Sequence, residues 1–347
     1  MPRPSARPTI ATIARDLGIS PATVSYALNA KPGVSAATRD RVLAHAATVG
    51  WTPHSGARAL RQGRSGNVGL VLARDPREVS HEPFFAALTA GIQSAASDAG
   101  RELLLRFVAG GAEEEMAVFR SWAEQRRVDG VLLLDLHLED PRPALLAELG
   151  LPFVVLGAWE GTGPGVRLAG AEAADAATLV EHLRATGRDA CLQLTGPLVY
   201  EHEHRRTELV AGLCARAGIA HAAVSAPYTR AGGEEGLRRL PLDLGERPAV
   251  IASSDLLALG AQRALLADGR AVPGDVAVLS WDDSAIAENV DPPITALARR
   301  PYEQGQEAGS LLLGLLDGGA PAGTVRRSAP SRLVVRASSV DPGAGPR

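Results

Sequence analysis

Thr9-Ile10-Ala11-Thr12-Ile13-Ala14-Arg15-Asp16-Leu17-Gly18-Ile19-Ser20-Pro21-Ala22-Thr23-Val24-Ser25-Tyr26-Ala27-Leu28-Asn29 carries two short helical patterns around a tight turn. In the first, Ile10, Ala14 and Leu17 recur at i, i+4 and i+7 with Ile13 beside them, and Gly18 permits the turn that ends it. The second opens with Ser20 as N-cap and Pro21 at the first helical position, where its missing N–H costs nothing. Val24 and Leu28 share an inward face, while Ala22, Tyr26 and Asn29 share the opposite one, with Ser25 at its edge. A glycine-containing turn followed by a helix that exposes short hydrogen-bonding side chains is the arrangement that enters a DNA major groove. A small helical dimerisation or scaffold domain would show the same local pattern.

Charge favours the first reading. Residues 1–64 hold nine Lys and Arg against Asp16 and Asp40, a net +7, which with the chain's total of −3 leaves −10 on the remainder. A basic segment joined to an acidic body fits nucleic-acid contact at one end. A third helix is predicted from the N-cap Ser35 to Gly50, with Val42, Leu43, Ala46 and Val49 on its buried side. Residues 1–8 are expected to form a flexible arm, 9–52 the headpiece and 53–66 a hinge. Within the hinge, the helical pattern at 57–62 falls far short of the roughly 12 residues an isolated helix needs. There Leu60 is an apolar residue flanked by Arg58 and Arg61, whose side chains could hold phosphates. An ordinary flexible linker is the alternative.

The chain's 347 residues are 46 % apolar and 22 % charged, a multi-domain, soluble composition, and no run of about 18 apolar residues is present to span a bilayer. No apolar segment follows Arg3 and Arg7 as a secretion signal would require, so the cytoplasm is the expected location. From Asn67 onward, apolar strand-like runs at 68–72, 103–107, 131–134, 153–156, 190–194, 249–252 and 276–279 alternate with helical patterns at 84–99, 113–125, 172–186, 205–217, 255–268 and 302–316. The pattern predicts an α/β core of two doubly wound subdomains, with a ligand cleft outside the carboxyl ends of parallel strands. The full fold class is that core plus an all-α helix-turn-helix headpiece.

The run 9–14, together with Gly18-Ile19-Ser20-Pro21-Ala22-Thr23-Val24-Ser25, Leu28-Asn29, Lys31-Pro32-Gly33-Val34-Ser35 and Thr38-Arg39, closely resembles the headpiece of the LacI/GalR family of bacterial transcription regulators. The likeness continues through Pro83-Phe84-Phe85, Val128-Asp129-Gly130-Val131, Ser254-Asp255-Leu256-Leu257-Ala258-Leu259-Gly260, Trp281-Asp282-Asp283 and Leu333-Val334-Val335-Arg336, nearly the whole chain. The resemblance implies a homodimeric or tetrameric repressor that binds a double-stranded DNA operator. Its affinity would answer to a small-molecule effector, a sugar or related metabolite, in a periplasmic-binding-protein-like core. It also implies three chain crossings, giving an N-subdomain of 67–161 with 297–326 and a C-subdomain of 162–296 with 327–340, before a flexible tail at 341–347. DNA contacts would come from Thr9, Ser20, Ala22, Thr23, Ser25, Tyr26, Asn29, Ser35, Arg58 and the wedge Leu60. Effector contacts would come from Phe85 as an aromatic wall, Arg206 as a guanidinium fork, Asp282 as an acceptor, Ser254, and Trp159 as a stacking ring or else a loop anchor. The chain departs from the family pattern in three places. Leu168-Ala169-Gly170-Ala171-Glu172 stands where many sugar-sensing members carry Asp-Asn, Ser254 replaces a common Asn, and Tyr26 sits where Arg is frequent, which removes a bidentate guanine contact.

Chemistry of other kinds is thinly represented. Cys191 and Cys214 match no metal or redox spacing and read as buried and inert. Glu201-His202-Glu203-His204 hints at a metal but reads as a solvated loop, since no third ligand is placed. No phosphate-binding glycine loop, nucleophile elbow or zinc-protease helix occurs. Hence no catalytic residue, cofactor or metal is assigned. An enzyme or metal-binding protein carrying an appended DNA-binding module is the rival reading. A purely architectural DNA-binding protein would not need some 270 residues of α/β core.

Overall fold

The computed structural model describes residues 8–51, 64–109, 111–157, 159, 163–319 and 321–340. Arg58 and Leu60, with most of the expected arm, hinge and tail, lie outside the described residues. The chain divides into two compact units, Met1–Ser65 and Gly66–Arg347.

The first unit holds helices α1 (Ile10–Leu17), α2 (Pro21–Leu28) and α3 (Ala36–Thr48). Each begins at a hydroxyl cap: Thr9, Ser20 and Ser35 accept the backbone N–H of Thr12, Thr23 and Thr38 at 3.2, 3.0 and 3.2 Å. Gly18, at φ 65°, closes α1 in the left-handed region that glycine adopts at no steric cost. Ile13, Ala14, Val24, Ala27, Val42 and Ala46 form a small shared core. Leu43, expected inside, is 46 % exposed. Val42, Ala46 and Val49 keep the i, i+4, i+7 stripe, and Leu43 lies a quarter-turn away from it.

The second unit contains two sheets of six strands. The first comprises β1 (Asn67–Leu72), β2 (Glu102–Phe107), β3 (Gly130–Leu133), β4 (Phe153–Leu156), β5 (Val166–Ala169) and β11 (Val325–Arg327), in the spatial order β11-β5-β4-β3-β1-β2. The second comprises β6 (Ala190–Thr195), β7 (Ala220–Ser225), β8 (Pro248–Ala252), β9 (Ala277–Ser280), β10 (Thr295–Ala298) and β12 (Arg332–Val334), in the order β12-β10-β9-β8-β6-β7. All pairings are parallel except that of β10 with β12. The order of their first five strands is the same in both halves, a doubly wound arrangement. Central strands such as β3, β8 and β9 are buried throughout, as expected for a parallel sheet covered on both faces.

Around these sheets lie α4 (Pro76–Val79), α5 (Pro83–Asp98), α6 (Gly111–Glu124), α7 (Arg142–Glu148), α8 (Glu172–Ala185), α9 (Glu201–Ala217), α10 (Arg230–Arg239), α11 (Asp255–Ala267), α12 (Ala285–Asn289) and α13 (Pro301–Leu316). α5 crosses α13 so closely that a Cβ on Gly91 would collide with the Tyr302 carbonyl, and one on Gly305 with that of Leu88. α10 and α11 meet in the same way through Gly233 and Gly260.

The strand-like runs all form strands, but the first crossing shifts. β5 pairs with β4 in the first sheet, so the chain leaves that half after residue 169 rather than at 161. The glycine-rich loop before Val166 reads as the boundary in sequence, and Arg167 interrupts the apolar signal of a four-residue strand. The other crossings follow β10, which ends at Ala298, and β11, which ends at Arg327, slightly later than the expected 296/297 and 326/327. Glu201-His202-Glu203-His204 is the first turn of α9 and not a loop, and Glu203 is fully buried. No described helix is long and apolar enough to cross a membrane.

Candidate functional site

In the headpiece, α2 turns Val24 and Ala27 inward and leaves Ala22 and Tyr26 exposed, with Thr23, Ser25 and Asn29 half-buried. This is the outward face expected from the sequence. Lys31 places its ammonium 5.6 Å from the centre of the Tyr26 ring, adding positive charge beside it. Thr9, Ser20 and Ser35 act first as caps, so their hydroxyls spend one acceptor position on the helix backbone. A capped helix N-terminus with neighbouring free N–H groups is itself suited to a phosphate.

In the core, side chains just past the carboxyl ends of the strands converge on one cleft of about 1110 Å³ including its mouth. Arg74 follows β1, Asp135 follows β3, Glu172 follows β5, Tyr228 follows β7, Ser253 to Asp255 follow β8, Trp281 and Asp282 follow β9, and Arg299 follows β10. Parallel strands all end on the same side, which is why residues scattered over 225 positions meet there.

Arg74 is held against aromatic rings from both halves. Its guanidinium carbon lies 4.8, 5.0 and 4.7 Å from the ring centres of Phe85, Tyr200 and Tyr228, the first from its own half and the others from the opposite one. Its Nε donates to Asp135 at 2.8 Å and its Nη2 lies 2.7 Å from the same oxygen. Burial opposes that charge, but Asp135 and Glu82 outweigh it and hold Arg74 ionised. Backbone pairing joins the halves beside it, with Glu201 N–H donating to the Leu136 carbonyl at 2.8 Å and Leu138 N–H to that of Val199 at 3.3 Å.

Glu203 organises the opposite wall. Tyr228 and Ser253 hydroxyls donate to it, each at 2.6 Å, and Gly196 N–H does so at 3.1 Å. Burial would raise its carboxyl, but His202, Arg206 and Ser253 hold it well below the usual range. Burial and the Glu203 charge push the Tyr228 hydroxyl well up, so it remains a neutral donor. Arg206 is buried, 3.5 Å from Glu203 and 4.8 Å over the Trp281 ring. Asp282 pairs with Arg299 at 2.9 Å, and Arg299 lies 4.8 Å over Phe84.

Of the effector residues expected from sequence, Phe85, Arg206, Ser254 and Asp282 line this cleft. Ser254 also caps α11, accepting Leu257 N–H at 3.3 Å. Trp159 is not among the lining residues. Its ring packs 5.8 Å from that of Phe153 and its carbonyl accepts from Arg167. Sequence reasoning missed Arg74, Glu82, Asp135 and Tyr228, which belong to no motif, and gave no effector role to Glu203 or Asp255, which lie within segments it did single out. For Arg74, Asp135, Tyr228 and Asp255 the position just past a strand end was the available signal; Glu82 and Glu203 sit at helix starts. Cys191 and Cys214 are both buried. Among the described residues no group of three His, Cys, Asp or Glu is arranged to hold a metal. The cleft offers rings, forked donors and carboxylate acceptors, the means to bind a polar, ring-shaped molecule.

A family model described as bacterial regulatory proteins, lacI family, matches residues 9–54, and one described as a periplasmic binding protein-like domain matches residues 180–339. The chain is 32 % identical to the HTH-type transcriptional regulator CelR of Thermobifida fusca, over 96 % of this chain and 98 % of that one. It is 30 % identical to the HTH-type transcriptional repressor CytR of Escherichia coli K12, over 95 % and 96 %. Among solved structures, a transcriptional regulator CelR-cellobiose complex is 30 % identical with a TM-score of 0.72, covering 96 % of this chain and all of the other. The lac repressor dimer bound to operator and an anti-inducer shares the fold, with a TM-score of 0.82 at 24 % identity.

Proposed function

From the membership of this chain in the lacI family of bacterial regulatory proteins, we propose that it is a repressor acting as a homodimer on a near-palindromic operator, with a saccharide as effector. That it is a DNA-binding transcription regulator modulated by a small molecule follows from the family itself. The observation that carries the finer reading is the cleft. Arg206, Asp282 and Phe85 converge from two halves of the core on one ligand-sized space, and a relative's structure is described as a complex with cellobiose.

On this reading Ala22, Thr23, Ser25, Tyr26 and Asn29 face base edges, while Thr9, Ser20 and Ser35 present helix N-termini to phosphates. Leu60 and Arg58 act in the minor groove. Effector binding alters the fit between the halves, shifts the hinge spacing and changes operator affinity in proportion to its differential affinity for the two states. Selection of bound sequences from random DNA at a fixed salt concentration tests this. A recovered palindrome whose occupancy changes with saccharide is the expected result. No motif, with or without pooled metabolites, would overturn the specific-reader reading.

A further inference from the structure

The three arginines of the cleft are already engaged: Arg74 by Asp135 at 2.7–2.8 Å, Arg299 by Asp282 at 2.9 Å and Arg206 by Glu203 at 3.5 Å. Of the other lining carboxylates, Asp175 accepts from Ser331 and Glu172 acts on Arg206. Glu82 and Asp255 come from opposite halves: Glu82 has only a 3.5 Å contact with the Arg74 that Asp135 already holds, and Asp255 pairs with no cation among the described residues. Glu82 is 8 % exposed, has Arg74 Nη1 no closer than 3.5 Å and accepts no hydrogen bond among the described residues. Asp255 is 4 % exposed and accepts only the Ser284 hydroxyl from a side chain. Burial pushes Glu82 up to about 8, with Arg74 offsetting this only in part and Asp135, Asp282 and Asp255 adding to it. Burial, then Asp282, pushes Asp255 up to about 6.

Two deep carboxyl groups of like charge are costly to keep in a cleft unless something there supplies positive charge and donors. An independent observation concerns acceptors. Arg206 Nε and Trp281 Nε1, on buried residues lining the same cleft, have no partner among the described residues. Both are donors on residues that line the cleft, and a ligand oxygen that reached either would supply the partner it lacks.

We propose that the cleft takes an aminated saccharide, its protonated amino group facing Glu82 and Asp255 and its hydroxyl or ring oxygens facing Arg206 and Trp281. The inference rests on the reading of this cleft as the effector site. With Arg74 held by Asp135 and offsetting burial only in part, Glu82 keeps its proton at neutral pH; an ammonium beside it stabilises the carboxylate, and that proton leaves to solvent.

Calorimetric titration of the full chain at pH 6.5 with matched ligands tests the proposal: glucose against glucosamine, and cellobiose against the β-1,4 dimer of glucosamine. The expected result is at least tenfold tighter binding of one amino ligand than of its neutral partner. Glu82→Gln or Asp255→Asn, checked for native melting, should reduce that preference to less than threefold. Equal or tighter binding of the neutral partner in both pairs, or a preference untouched by both variants, overturns the proposal. If the neutral sugar binds and Asp282→Ala abolishes that binding, the cleft remains the effector site and only the amino preference falls. Absence of saturable binding by all four ligands takes down both.

Discussion

The Arg74 guanidinium carbon lies 4.7 Å from the centre of the Tyr228 ring although the two residues belong to different halves of the core. Three rings and Asp135 thus fix one largely buried cation at the boundary between the halves. Removing it leaves Asp135 without its principal partner. Arg74→Ala should therefore destabilise the core by about 2–4 kcal/mol, since breaking a buried ion pair exposes the cost of the remaining charge. Asp135→Asn in the same chain should recover part of that loss. Urea denaturation of the single and double variants measures the coupling, and strictly additive losses would show that the pair is not a unit.

Gly305 carries a different kind of constraint. A methyl group there would strike the Leu88 carbonyl, which is backbone and held in α5, so neither helix can yield without separating. Gly305→Ala should cost about 1–3 kcal/mol through overpacking, despite alanine's higher helix propensity. Gly212 on α9 meets nothing nearer than the far end of the Arg216 side chain at 3.6 Å. Gly212→Ala should instead gain about 0.5–1 kcal/mol. Thermal melting of the two variants should move in opposite directions.

These contrasts also show what could be read from residue order alone. Capping hydroxyls, Pro21 and Gly18 act within four residues of themselves, so the headpiece was legible. Buried parallel strands appear as apolar runs, which made β1, β3 and β4 visible, and the partly exposed edge strand β2 showed through Leu103, Leu104, Leu105 and Phe107. β5, β11 and β12 are three or four residues long and take their place from tertiary pairing. Arg74 and Glu82 are single charged residues whose meaning comes from a strand order that no local pattern encodes. The Glu201-to-His204 run was misread because its alternating polarity hides Glu203, whose burial is made tolerable by Tyr228 and Ser253 from distant segments.

In the headpiece, stability and DNA recognition should separate. Ser20 accepts Thr23 N–H at 3.0 Å, so Ser20→Ala should lower headpiece stability by about 1 kcal/mol as well as weakening DNA binding. Tyr26 is 44 % exposed, so Tyr26→Ala should leave the melting curve nearly unchanged while weakening operator binding and relaxing sequence preference. Gel-shift titrations beside circular-dichroism melts would distinguish the two. A Tyr26→Ala protein that keeps full operator affinity and specificity would remove this side chain from the reading face.

Glu82 makes a prediction about pH. Its carboxyl lies near 8 in the folded protein against an ordinary 4.5, burial being the main cause. Below the ordinary value both folded and unfolded chains hold the proton, and the group costs little. Between the two values the folded chain retains a proton that the unfolded chain gives up, so stability declines by about 1.4 kcal/mol for each unit of pH at most. Above 8 the decline is complete. Asp255, near 6 against 3.8, and Glu115, near 7 against 4.5, act in the same direction over lower windows, again chiefly through burial. Glu82→Gln holds a neutral side chain of the same shape at every pH. Its urea midpoint should therefore match the parent near pH 4.5 and exceed it increasingly up to pH 8. A constant gap from pH 5 to pH 9 would mean that Glu82 is ionised in the folded cleft throughout, with Arg74 serving both Asp135 and Glu82.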